Sequence, residues 1–264
     1  MHSISVVIPS YNSHATVSRT LKSLLDSPKS LLKEVIVVDS SDDAQTPALL
    51  DAFRSEKLRV IHLPVKTPPA TARNLGARQA SGDILAFLDS DAYAAQDWLE
   101  KITAAVEQGC RVGGGSLSLP DFQKSKALAL AQYFLQFNEF LDVGKRRVKM
   151  FVPSCNLFCE RSLFDEVGGF PEIRASEDVL FGLAVAKRAK VFFDPAIKIF
   201  HIFREDPGAY FGYRRCPRDR RVFVRASAFF ARTFVLERRI FPGLLGAGEG
   251  TCLKSSYWAC PSIP

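Results

Sequence analysis

The stretch "GDILAFLDSDAY", Gly82–Tyr93, sets the reading of the whole chain. Ile84 to Leu88 is wholly apolar and is followed at once by Asp89, Ser90 and Asp91. An apolar run this short, bounded by turn-forming residues, reads as a strand buried on both faces. In extended backbone, residues i and i+2 point to the same side. Asp89 and Asp91 therefore present two carboxylates together at the strand end, an arrangement that is costly unless a cation neutralises it. Oxygen ligands of this kind suit Mg2+ or Mn2+, with waters and substrate phosphates completing the shell. The bland alternative for the same residues is a surface turn whose acids are solvated.

Runs of the same kind recur upstream. "ISVVIP" (4–9), "EVIVVD" (34–39) and "LRVIHL" (58–63) read as strands. Between them, "ATVSRTLKSLLDS" (15–27) carries Val17, Leu21, Leu24 and Leu25 on one helical stripe. "TPALLDAFRS" (46–55) starts a helix with Thr46 as N-cap and Pro47 at the first position. "PPATARNLGARQAS" (68–81) is helical, with Gly82 as its stop. Non-alternating apolar strands separated by helices make a parallel, doubly wound sheet. Such sheets bind ligands outside the C-terminal ends of their strands. Those ends are Pro9-Ser10-Tyr11-Asn12, Asp39 to Asp43, and Asp89-Ser90-Asp91.

Beyond Asp91 the alternation stops. The spacing predicts a helix over 95–109, a Gly-rich strand over 111–120 and a helix over about 123–141. "SEDVLFGLAVAKRA" (176–189) reads as a helix capped by Ser176, and "KVFFD" (190–194) and "IKIFHIF" (197–203) as two short strands.

The 264 residues, 47% hydrophobic and 24% charged, suffice for a sizeable core and exclude a disordered chain. No apolar run approaches the roughly 18–20 residues of a membrane span. "MHSISVVIPSYN" has no basic leader and enters a strand directly, so a cytoplasmic location is expected. The six cysteines show no paired zinc spacing and read as free thiols. The net charge of +7 is concentrated near the C-terminus, where residues 204–239 hold ten arginines against four acids, interleaved with aromatics. That segment reads either as a helical lobe with solvated arginines or as a peripheral contact with an anionic membrane. No recognition motif accompanies the charge, so nucleic acid is not an expected partner.

Individual side chains add chemistry. Tyr11 stands where an aromatic can stack on a base or pack the rim, and Asp39 can accept hydrogen bonds from a base or ribose. Asp42 and Asp43 can cap the helix that follows. Arg73 is either a forked ligand for a diphosphate or a surface charge. Glu177 and Asp178 occupy a helix's first turn, where acids favour the dipole, or supply a general base. His201 and Arg204 close the last strand, where His201 can serve as a metal ligand or phosphate contact.

The order "VVIPSYN", "EVIVVDSSDD", "TARNLGA", "ILAFLDSDA", "NLFCERSLFDEVGGFPE", "SEDVLFGLAV", "FHIFR" resembles a family 2 glycosyltransferase of the GT-A fold over residues 3–204. The resemblance implies an α/β fold: a Rossmann-like, mostly parallel sheet flanked by helices, with an acceptor-side lobe and a basic helical C-terminal segment. It divides the chain into a GT-A domain, 1–204, and a basic segment, 205–264. Within the domain, 1–92 is the nucleotide-sugar-binding half and 93–204 the acceptor half. It implies a nucleoside diphosphate sugar donor bridged by Mg2+ or Mn2+, and a saccharide or lipid-linked acceptor.

Carried over by position, Pro9, Tyr11 and Asp39 line the base pocket, and Arg73 sits near the nucleotide. Asp89 contacts ribose or a metal-bound water, Asp91 ligates the metal with His201 beside it, and Asp178 of the Glu177-Asp178 pair is the base. Glu177 and Arg204 join the substrate-binding set.

Two departures matter. Ser40 stands where many members carry a second Asp, and the Gln-x-x-Arg-Trp element of processive synthases is absent after Asp178. The latter implies single sugar transfer, by an in-line displacement that inverts the anomeric carbon. The rival readings are a catalytically silent nucleotide-sugar-binding protein and a nucleotidyltransferase. The second would need a Gly-rich phosphate loop with a Lys after the first strand, and "PSYNSHAT" has neither.

Overall fold

The computed structural model describes residues 2–27, 30–173 and 176–206. The first half is the expected alternation: β1 (Ile4–Ser10), α1 (Val17–Leu25), β2 (Leu32–Asp39), α2 (Gln45–Ala52), β3 (Leu58–His62), α3 (Pro69–Gln79) and β4 (Ile84–Leu88). The second half contains β5 (Ala92–Ala94), α4 (Trp98–Glu107), β6 (Val112–Ser118), a 3-10 turn at Asp121–Gln123, α5 (Ala127–Phe137) and β7 (Arg147–Lys149). It continues with β8 (Asn156–Glu160), α6 (Arg161–Glu166), α7 (Glu177–Val185) and β9 (Val191–His201).

Burial explains the strands. Every residue of β4 is buried, as are all but Pro9 in β1, because helices cover both faces of the sheet. Helix α1 turns Val17, Leu21 and Leu24 into that core. Helix α3 lies closer to the sheet, on a face of Ala70, Ala77 and Gly76. A Cβ at Gly76 would come within 2.4 Å of Val7, so only glycine permits the approach. Asp43 fixes the start of α2 by accepting bonds from the Thr46 backbone N–H (2.6 Å) and hydroxyl (3.0 Å). The helix therefore begins at Gln45, and Thr46 is inside it rather than capping it.

The strands form one sheet in the order β3-β2-β1-β4-β8-β6-β9-β5, with β7 added on β9. The mostly parallel sheet holds through β3-β2-β1-β4. Past β4 it becomes mixed, because β8 runs antiparallel to both β4 and β6. The reason is topological: the chain leaves β6 at the edge where β4 ends and re-enters the sheet there at Asn156, opposite Leu88, without a return crossover.

The two strands read at 190–194 and 197–203 are one strand, β9, that pairs with β6 through a shifted register at Gly115 to Leu117. The helix read at 123–141 is shorter, because the turn at Asp121–Gln123 precedes α5. Ser176 occupies the N-cap position of α7 with φ of 67°, but its side chain makes no capping bond.

No helix of the described residues is long and apolar enough to cross a membrane. These residues lie within one compact unit, 1–215. The basic segment from 207 onward, with its expected helical character and membrane contact, lies outside the described residues.

Candidate active site

The ends of β1, β2 and β4 meet at one edge of the sheet. Register places Ser10 beside Asp39, and Asp39 beside His62. Asp39 is 1% exposed. Its carboxylate accepts hydrogen bonds from the hydroxyls of Ser10 (2.8 Å) and Ser41 (2.6 Å) and lies 3.3 Å from His62 Nδ1. His62 Nε2 is 3.1 Å from Asp51. Burial disfavours the His62 cation, but Asp51 and Asp39 outweigh it and hold the imidazole above its ordinary pKa. Pro9 pairs with Val38 at this edge. Tyr11 donates its hydroxyl to Asp42 (2.6 Å), and Lys66 Nζ lies 3.9 Å from the centre of its ring.

The acid pair after β4 divides its contacts. Asp89 accepts a 2.6 Å bond from Arg73 Nη2, and the other arm of the guanidinium, Nη1, donates to Glu177 Oε1 at 2.9 Å. Arg73 is 3% exposed, so it is a buried bridge and not a surface charge. Burial works against its charge, but Asp89 and then Glu177 overcome that and raise its pKa further.

Asp91 faces His201. The antiparallel pairing of β5 with β9 sets Ala92 opposite His201, and the Ile202 N–H donates to the Asp91 carbonyl at 2.8 Å. His201 Nε2 thus comes 3.5 Å from Asp91 Oδ1. The protein packed beneath Asp91 raises its carboxyl pKa; His201 pulls it down, Asp89 adds repulsion, and Arg204 also pulls it down. One ligand atom each from Asp89, Asp91 and His201 lies within 4.8 Å of the others.

These residues fit a divalent cation. Two carboxylates and an imidazole converge, and a cation would remove the repulsion between the acids. The mixed oxygen and nitrogen set suits Mn2+ at least as well as Mg2+.

Helix α7 brings the last acid. Aromatic contacts run from Phe87 of β4 to Phe164 and Phe170, and from both of those to Phe181 of α7. Asn74 of α3 clasps Phe170, accepting from its N–H at 2.9 Å and donating to its carbonyl at 2.8 Å. This packing fixes the first turn of α7 over Arg73. Asp178 Oδ1 accepts from the Val179 N–H at 2.8 Å. Its carboxyl is pushed up to about 6, by burial first and by Glu177 second; the Val179 and Ser154 N–H groups and Arg73 oppose that rise. Arg204 is exposed at the end of β9, and its backbone carbonyl accepts a 2.7 Å bond from Gln132.

Sequence reasoning missed three contributors. Ser10, Ser41 and His62 bind Asp39, yet in the sequence the two serines stand out only as members of strand ends and His62 as the tail of an apolar run. The offered signal was position alone, since each stands at a strand end. Cys155, 4% exposed, lies beneath the site, where burial and then Asp89 push its thiol well up; Asp91 and Asp178 add to this and Arg73 opposes it. Cys110, Cys155 and Cys159 are free and buried, as expected of structural thiols.

Known proteins resemble this chain in sequence and in fold. The chain is 30% identical over 173 residues to the glycosyltransferase AglE of Haloferax volcanii, a match covering 64% of this chain and 56% of that protein. The structure of Staphylococcus aureus TarS 1-349 with UDP-GlcNAc superposes with a TM-score of 0.61 at 24% identity, covering 77% of this chain and 59% of that one. GalNAc-T7 with UDP, GalNAc and Mn2+ superposes with a TM-score of 0.63 at 17% identity, covering 78% and 45%. The chain thus spans only about half the length of such relatives. The family model for glycosyl transferase family 2 matches residues 5–168, most of the described sheet and its helices. With that match over more than half its length, the chain belongs to glycosyl transferase family 2.

Proposed function

We propose that the chain is an inverting, metal-dependent glycosyltransferase. It moves one sugar from a nucleoside diphosphate sugar to a hydroxyl of a saccharide or lipid-linked acceptor. One observation carries this reading: a carboxylate pushed up to about 6, Asp178, stands at the same sheet edge as the Asp89, Asp91 and His201 group. A base with a pKa near the working pH combines the correct protonation state with driving force for proton transfer.

Each residue then has a task. Asp39, held by Ser10, Ser41 and His62, retains acceptor capacity for an N–H of the donor's base. Pro9 and Tyr11 form the rim of that pocket. Asp89, Asp91 and His201 would hold Mg2+ or Mn2+ against the diphosphate, with Arg204 adding positive charge at the rim. The cation, when bound, supplies electrostatic stabilisation to the leaving diphosphate. Asp178 accepts the proton of the acceptor hydroxyl. The acceptor oxygen bonds to the anomeric carbon from the face opposite the diphosphate, whose oxygen departs with the electron pair of the broken bond. One such displacement inverts the configuration.

Asp178→Asn tests the base. The variant should bind the Mn2+–nucleotide complex as the wild type does, while transfer falls by a factor on the order of 10²–10⁴. Binding is read by calorimetry with UDP and Mn2+. Transfer is read as nucleoside diphosphate release with the donor that stabilises the protein. Turnover near the wild-type rate would remove Asp178 from this role.

A further inference from the structure

The Arg73 bridge has chemistry beyond joining two elements. Its guanidinium is shared between Asp89, at the end of β4, and Glu177, whose neighbour in the chain is Asp178. Glu177 is 15% exposed at its side chain and Arg73 is 3% exposed, so water screens this pair weakly. Glu177 and Asp178 share the first turn of α7, which holds two adjacent carboxylates against one guanidinium.

We propose that Arg73 and Glu177 form an electrostatic positioning pair for Asp178. Glu177 presses negative charge on the neighbouring carboxylate, Arg73 withdraws part of it, and the balance sets the pH at which Asp178 takes up a proton. Neither residue needs to touch the acceptor. Arg73 also meets Asp89, so it joins the charge of the cation group to the charge of the base.

The groups that act on Asp178 among the described residues support this. Glu177 is on its own helix, and Arg73 reaches it from α3. Asp89 lies behind Arg73, the Cys155 thiol approaches from the loop before β8, and the Val179 and Ser154 N–H groups donate to it. Among the side chains that act on it most strongly, Glu177 raises its pKa and Arg73 lowers it. Removing one or the other must therefore move Asp178 in opposite directions.

The meaning for catalysis rests on Asp178 being the base, but the titration itself does not. The full chain, labelled with carboxyl-¹³C aspartate, is titrated by NMR between about pH 4 and 8 in Mg2+ buffer, and Asp178→Asn identifies the resonance. Glu177→Gln should lower the Asp178 midpoint by about 0.5–1 pH unit, as expected for removal of one nearby like charge. Arg73→Gln should raise it by a similar amount, and Arg73→Lys, which restores the charge without the fork, should bring it back toward wild type. Where Arg73→Gln does not fold, the Glu177→Gln and Arg73→Lys pair decides. Midpoints that stay put, or that move the same way in Glu177→Gln and Arg73→Gln, overturn the proposal. That result would leave the base assignment standing, since it rests on the transfer assay of Asp178→Asn.

Discussion

Asp178 shows what a carboxylate with a raised pKa costs the fold. Its pKa is about 6 in the native state against an ordinary 3.8, so the folded chain binds a proton that the unfolded chain has released across that interval. For a carboxyl raised in this way, stability is fully present below about pH 4 and is lost as pH rises through about 6. Asp178→Asn removes the charged form and should make the protein more stable than wild type at pH 7.5, with a clearly smaller difference at pH 4.5. Urea unfolding at the two pH values measures this, and an equal or lower stability at pH 7.5 would contradict the raised pKa of this carboxyl. Other residues at this edge were legible one by one in the sequence but their partners were not. Asp89 and Asp91 read as one pair on one face, whereas Asp89 binds Arg73 and Asp91 faces His201.

At the scale of elements, β6 decides how the two halves join. It lies between β8 and β9, and its Gly113, Gly114 and Gly115 leave no room for a side chain. A Cβ at Gly114 would lie 2.0 Å from the Asn156 carbonyl, and one at Gly115 would lie 1.7 Å from that of Ile197. Asn156, the first residue of β8, is 1% exposed. Its amide donates to the carbonyls of Ser116 and Ile197, and its oxygen accepts from the Trp98 indole. This one side chain ties β6, β8, β9 and α4 together. Gly114→Ala should cost about 1–3 kcal/mol, or more where the backbone cannot shift. That lowers the melting temperature by at least several degrees, which differential scanning calorimetry would detect. An unchanged melting temperature would refute the close approach of β6 and β8. The sequence marked the region as a Gly-rich strand without saying which neighbours need the space. Strands β5 and β7, three residues each, are too short to carry a periodic signal.

Across the whole molecule, a ligand that binds only the native chain stabilises it by mass action, by about 2.7 kcal/mol at a hundredfold excess over its dissociation constant. For a domain of this size that corresponds to a rise of about 5–10 °C. A thermal screen with UDP-, GDP- and dTDP-sugars plus Mn2+ should give such a rise for one base, and EDTA should abolish it. A rise that persists in EDTA would dispose of the cation at Asp89, Asp91 and His201. The parallel half, β1 to β4, was legible because local apolar runs and the helices between them define it, even though β4 pairs with β1 across 80 positions (Ile4 with Ile84). The acidic strand end at Asp89 and Asp91 also followed from local order. What lay beyond local order was set by contacts between distant residues. Arg73 finds Glu177 across 104 positions, and His201 reaches Asp91 only because β9 pairs with β5. Asp178 owes its raised pKa first to loss of solvent in the folded chain and then to its charged neighbour Glu177. Local sequence determines which residues end a strand, because that depends on neighbouring side chains and backbone preference. Ion pairing and loss of solvent depend on what the folded chain places within a few ångströms, so the tertiary structure alone decided how those residues act together.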